Sequence, residues 1–239
     1  MRLQVILAFA AVLVVEAAAS AAFGQRTVTF PLVSGADSGA GMVAGDVYGG
    51  WTKGLTRALI LAHGGRFDAQ SWKPQAEAFA EAGFVVLAVH FRGDRLNADG
   101  SPDAEGSDAQ NADDVMAAVA YLHRSGVKTV YAVGGSLGGS AVGDADAMSA
   151  PGSIERVVFL GSDGGDEPEK LSGRKLFIVA REDRSGEGLR LPGIEAHYKR
   201  APEPKRLVVV KGSAHAQYLF GTDEGPRVMK EILGFLEEK

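Results

Sequence analysis

Lys128-Thr129-Val130-Tyr131-Ala132-Val133-Gly134-Gly135-Ser136-Leu137-Gly138-Gly139-Ser140-Ala141 is the stretch on which the fold turns. Its first six residues are mostly β-branched or aromatic and read as a strand. Gly134-Gly135-Ser136-Leu137-Gly138 follows at once, and the small residues Gly139, Ser140 and Ala141 open a helix. Glycines two before and two after a serine let the backbone turn sharply from strand to helix. The hydroxyl is then left exposed above the sheet, near a helix N-terminus, in the form of a nucleophile elbow. In a chain with 32 glycines the pentapeptide alone is a weak signal; its place between a strand and a helix gives it meaning. The competing reading is a glycine-rich turn with an idle serine, and it is weighed by whether the partners of such a serine are present.

Outward from this stretch, β-favouring runs occur at Thr27 to Val33, Met42 to Tyr48, Arg57 to Ala62, Phe84 to Phe91, Lys128 to Val133, Arg156 to Gly161, Lys175 to Ala180 and Arg206 to Lys211. They predict eight strands. Helical periods lie between the later ones. Trp72, Ala76, Phe79 and Ala80 share one face, as do Val115, Ala118, Val119 and Leu122, and then Val228, Ile232, Phe235 and Leu236. Ser71 is read as the start signal of the first helix, and a Ser107 to Gln110 capping-box spacing as that of the second. Val85-Val86-Leu87-Ala88-Val89 is apolar on both faces, which suits a strand of a parallel sheet covered on both sides. Two strands followed by alternating strand and helix predict a three-layer α/β/α sandwich around a mostly parallel eight-stranded sheet. Its ligand site is expected at the C-terminal ends of the strands.

The chain has 239 residues, 25 Lys+Arg against 30 Asp+Glu, and no Cys. That length suits one α/β domain with a core able to carry its own stability. Without cysteine there is no disulfide framework, thiolate metal site or cysteine nucleophile. A net charge of -5 with no run of Lys and Arg argues against nucleic acid and against an anionic membrane surface as partners. Residues 1–24 read separately. Arg2 gives a positive start, Leu3 to Val15 is apolar except for Gln4, and small residues run from Ala17 to Ala22. This is the tripartite pattern of a secretory signal, and its apolar run is too short to span a bilayer. Residues 1–24 are therefore expected to be a signal peptide cleaved on export to the periplasm or medium, leaving no membrane span. Residues 25–239 are expected to form a single domain.

From about Arg57 onward the chain resembles the α/β-hydrolase fold family, in particular its small serine esterase-like and dienelactone-hydrolase-like members. In that family the elbow follows the fifth strand, the acid the seventh and the histidine the eighth. The resemblance thus implies Ser136 as nucleophile, Asp183 in Ala180-Arg181-Glu182-Asp183 as the orienting carboxylate, and His215 in Gly212-Ser213-Ala214-His215 as general base. The order Ser, Asp, His is the one this fold uses. All three are needed: a serine hydroxyl is a poor nucleophile at neutral pH, an imidazole must take its proton, and a carboxylate must hold that imidazole in the right tautomer. Asp163 and Glu182 are the rival acids. His90, which ends the fourth strand, is the rival base, although a structural bond in the turn with Arg92 and Gly93 is the simpler reading. His123 and His197 fall in helical stretches and are read as surface residues.

The oxyanion requires two backbone donors. Leu137 supplies one, and His63-Gly64-Gly65-Arg66 resembles the family's histidine-glycine motif, with Gly65 as the second donor. Where many lipases carry a further glycine this chain has Arg66, which either meets a substrate carboxylate or pairs with Asp68 on the surface. Arg66, Phe67 and Tyr218 are candidates for the substrate pocket. About a dozen residues separate the sixth and seventh strands, which leaves no room for a large cap domain and points to small, soluble substrates. The expected function is hydrolysis of carboxylic esters through an acyl-enzyme, with no cofactor and no metal. The alternatives are a peptidase or lactone hydrolase with the same triad, a catalytically silent binding scaffold, and a metal site built from His63, His90 and a carboxylate. Relatives of the dienelactone type use cysteine, which this chain lacks. Nothing in the sequence bears on oligomeric state.

Overall fold

The computed structural model describes residues 25–33, 41–51, 56–92, 94–96, 102–104 and 108–238. The expected signal peptide, residues 1–24, and the Ser107 start signal lie outside them. Eight strands form one sheet: β1 (Arg26–Pro31), β2 (Met42–Tyr48), β3 (Arg57–Ala62), β4 (Val85–His90), β5 (Thr129–Gly135), β6 (Arg156–Leu160), β7 (Arg174–Ala180) and β8 (Lys205–Val210). Their order across the sheet is β1-β2-β4-β3-β5-β6-β7-β8. β2 runs antiparallel to both of its neighbours, and every other adjacent pair from β4 to β8 is parallel. After β4 the chain crosses back over β3 to begin β5, so the direction of winding reverses between β3 and β5. In an open α/β sheet that reversal leaves a crevice at the C-terminal strand ends.

Among the described residues five helices cover the two faces: α1 (Lys73–Glu81), α2 (Asp108–Arg124), α3 (Leu137–Met148), α4 (Leu191–Arg200) and α5 (Gly225–Glu237). Successive strand residues alternate between two apolar clusters because their side chains point to opposite faces of the sheet. Ala58, Ile60 and Ala62 pack with Val115, Ala118 and Leu122 of α2 and with Ala141 and Val142 of α3. Leu59 and Leu61 join Trp72, Phe79, Val228 and Ile232 on the α1 and α5 side. Each fully buried side chain of this size contributes about 1.5–3 kcal/mol, which is what both apolar faces of β3 and β4 offer. Every helical position expected to face the core is buried.

One start signal differs from expectation. A 3-10 turn, Ala69–Trp72, precedes α1, and Asp68, not Ser71, caps it by accepting from the Ser71 amide at 2.9 Å. A carboxylate three residues before that amide is the stronger acceptor, so the element begins earlier. Between β6 and β7 the chain carries only the short 3-10 turn Pro168–Lys170, and no cap domain is inserted there. A two-residue hairpin, Arg184–Ser185 with Gly188–Leu189, follows β7. Among the described residues no helix is long and apolar enough to cross a membrane.

Candidate active site

Ser136 sits between the last residue of β5 and the first of α3, with φ 51° and ψ -119°. A non-glycine residue rarely holds a positive φ, and here the surroundings enforce it. A Cβ on Gly134 would lie 2.2 Å from the Gly138 carbonyl oxygen, and one on Gly138 would lie 2.3 Å from that of Ala62. Only glycine at both positions lets α3 rise this steeply from β5. The Ser136 amide is held by the Leu160 carbonyl at 2.9 Å, which fixes the elbow against β6.

His215 follows β8 and Asp183 follows β7, so the topology delivers both to the same strand ends. His215 Nε2 is 2.8 Å from Ser136 Oγ, and its Nδ1 is 2.8 Å from Asp183 Oδ2. With Nδ1 protonated the ring donates to the carboxylate and accepts from the serine hydroxyl. Asp183 is fully buried, whereas the side chain of His215 is 25% exposed, so the relay runs from the interior to the cleft. The rival acids are not in this relay: Glu182 is exposed, and Asp163 binds the amide of Gly165 at 3.4 Å. Ala216, next to His215, also holds a positive φ of 50°.

The other histidines have different partners. His90 Nε2 is 2.8 Å from Asp46 Oδ2 on the neighbouring β2, not bonded within its own turn; Arg92 is instead paired with Asp114. The buried His63 packs against Phe91 at 4.8 Å. His123 is not a free surface residue, since its ring nitrogens bond the carbonyls of Val127 at 3.1 Å and Ser153 at 3.0 Å. His197 is partly covered in α4. Among the described residues no group of three His, Asp or Glu is arranged to hold a metal ion.

Leu137, as the first residue of α3, has no helical acceptor for its amide. Gly65 lies in the turn after β3, and both residues border the cleft at Ser136. Arg66, Phe67 and Tyr218 border the same cleft, and the Phe67 and Tyr218 rings meet at 4.8 Å. The structure thus brings together all three expected pocket residues. The expected pair of Arg66 with Asp68 is not among the ion pairs of the described residues, Asp68 being engaged as a cap.

Two further side chains at the cleft carry no local signal in the sequence. Gln217 is buried; its Oε1 accepts from the Gly64 amide at 2.8 Å and its Nε2 donates to Ser71 Oγ at 2.7 Å. It ties the loop after β3 to the loop that carries His215. Arg190 stands just before α4, with Nε 3.5 Å from Asp183 Oδ1 and its amide donating to the Asp183 carbonyl at 2.9 Å. The cleft has two arms that meet at Ser136, Leu137 and Arg190. One of about 200 Å³ lies between the loops after β3 and β8, and one of about 350 Å³ lies between α3, the loop after β6 and the hairpin after β7.

No protein-family model and no curated protein matches the chain. Solved structures do. A dienelactone hydrolase from Anabaena variabilis superposes with a TM-score of 0.66 at 19% identity, covering 89% of this chain and 97% of its own. An esterase from Pyrococcus furiosus gives a TM-score of 0.69 at 14% identity, covering 90% and 92%. A peroxisomal alpha-beta-hydrolase from Saccharomyces cerevisiae gives 0.66 at 12% identity, covering 90% and 89%. At such identities the likeness establishes the α/β-hydrolase fold.

Proposed function

We propose that the protein is a serine hydrolase that cleaves carboxylic esters of small, soluble substrates through an acyl-enzyme. The observation that carries this reading is the continuous relay from Asp183 through His215 to Ser136, 2.8 Å at each step, with the serine raised on a positive-φ turn. In this reading Ser136 Oγ attacks the ester carbonyl while His215 takes its proton, and Asp183 holds the imidazole and stabilises its charged form. The amides of Gly65 and Leu137 receive the oxyanion, a donor of this kind being worth about 2.7–4 kcal/mol in the transition state. His215 then protonates the departing alcohol, and a water molecule takes the alcohol's place to release the acid. The resemblance to esterases and to a dienelactone hydrolase supports the same class. A lactone is the second reading, because its ring opening uses the same steps and one similar structure is a lactone hydrolase by name.

Ser136→Ala is expected to reduce turnover of small aryl esters roughly a millionfold while leaving thermal stability near that of the parent chain. An esterase rate that survives this substitution contradicts the proposal. We read residues 1–24 as a signal removed on export; an exported protein that still begins at Met1 contradicts that part.

A further inference from the structure

The two arms of the cleft differ in chemistry, and the position of the imidazole assigns them. His215 borders the smaller arm, whose wall holds the Phe67–Tyr218 ring pair beside Arg66 and Arg190, and not the larger one. In acyl transfer the base that takes the serine proton returns it to the departing oxygen, so that oxygen must lie within reach of His215 Nε2. The alcohol half of an ester therefore falls toward the aromatic arm. The acyl half, held on Ser136, falls toward the larger one.

The larger arm is lined mostly by hydrophilic groups. Ser140, Ser162, Asp163, Ser185 and Glu187 border it, together with Leu189 and Ile194 from the hairpin and from α4. Arg190 is the cation on this wall among the described residues, and it is turned toward the fully buried Asp183. Asp163 and Glu187 have no Lys, Arg or His in ion-pair range among the described residues. The surplus on this wall is in hydrogen-bond acceptors, and an acyl chain that carries donors matches it. A hydrocarbon chain would strip water from these carboxylates with nothing in return.

We propose that the substrate is an ester joining a donor-bearing acyl group, with a hydroxyl or ammonium on its chain, to an aromatic or comparably apolar alcohol. This rests on the serine-hydrolase reading and names its substrate class. The bond that forms is Ser136 Oγ to the acyl carbon and the one that breaks is acyl carbon to alcohol oxygen. The serine proton leaves with the alcohol by way of His215, and water then divides between the free hydroxy or amino acid and the restored serine.

Benzyl 3-hydroxypropanoate and 2-hydroxyethyl phenylacetate are isomers in which the polar and aromatic halves exchange places across the ester, and both release a primary alcohol. The proposal expects kcat/KM to favour the benzyl ester by about tenfold or more, the scale on which one pocket discriminates. Benzyl β-alaninate then separates ammonium from hydroxyl, with benzyl butanoate and benzyl hydrogen succinate as neutral and anionic counterparts. Both donor-bearing esters are expected to exceed butanoate, and succinate to be slowest. In Asp163→Asn/Glu187→Gln the ratio of β-alaninate to butanoate should fall toward one, and Phe67→Ala should reduce the preference between the isomers. Equal rates for the isomers, or succinate ahead of β-alaninate, overturn the assignment while leaving the hydrolase reading intact, provided that Ser136 reacts with a fluorophosphonate. Failure to cleave any of these esters, in a folded protein whose Ser136 does not react, overturns both.

Discussion

Gly161, the first residue after β6, shows how tightly the side chains of His215 and Asp183 are enclosed. It holds φ 58°, and a Cβ there would stand 2.9 Å from the Ala216 amide nitrogen, 3.0 Å from His215 Nδ1 and 3.1 Å from Asp183 Oδ2. Gly161→Ala is therefore expected to push the imidazole off its line to Ser136 and lower kcat by about tenfold to a hundredfold, since displacements near 1 Å at a reacting group have that effect. Steady-state kinetics beside a melting curve check this, and an unchanged kcat would mean that the ring has slack. Gln217 acts from the other side. Gln217→Leu removes the acceptor of the buried Gly64 amide and is expected to cost about 1–3 kcal/mol of stability. It should also lower kcat more than it raises KM, because the turn it releases carries Gly65. Ser136, Asp183 and His215 were expected at the ends of the fifth, seventh and eighth strands from the resemblance, and those strands are themselves marked by local pattern. Gln217 was not, since its partner lies 153 residues away and nothing local marks the pairing.

The elements repeat this division between local and distant information. The strand expected to end at Val133 continues through Gly134 and Gly135, which still pair with Phe159 and Leu160 of β6. Glycine has no side chain to advertise a strand, so the ladder extends where composition suggests a turn. All three helical faces were legible because burial imposes their period on the residue pattern. The hairpin after β7, by contrast, is set by chain geometry around Asp183 and left no such pattern. At the end of α3 away from Ser136, the buried Asp146 accepts from the Ser172 amide at 2.8 Å, from Ser172 Oγ at 2.9 Å and from the Gly173 amide at 3.1 Å. These bonds join α3 to the segment that leads into β7. Burial pushes its carboxyl above the ordinary carboxylate range, and these same bonds draw it back. Asp146→Ala should leave several buried donors unmet and destabilise the chain by about 2–4 kcal/mol, read by urea unfolding. Fluorophosphonate reactivity at Ser136 should persist below the transition; a loss of reactivity in a chain of unchanged stability would place Asp146 in the site.

For the molecule as a whole, the division of apolar residues between the two faces of the sheet was the most readable feature, since one strand such as Val85–His90 must serve both clusters at once. Its polar exceptions were less so. Tyr48 is 1% exposed and its hydroxyl has no hydrogen-bond partner among the described residues. Burial first, then the negative charge of Asp46 and more distant carboxylates, pushes its phenol from 10.0 up to about 12. Between those values the native chain holds a proton that the unfolded chain has lost, so unfolding free energy should fall as pH rises through that window. Tyr48→Phe is expected to flatten that alkaline limb, and parallel limbs for the two proteins would contradict the assignment. At this scale the order of the strands brings three distant segments, those of Ser136, Asp183 and His215, to one place. The most direct measurement is peptide mapping after reaction of the folded protein with a fluorophosphonate. A single phosphonylated site is expected at Ser136, absent in Ser136→Ala and strongly slowed in His215→Ala. A folded protein that forms no adduct, or one that carries it on another residue, would contradict it.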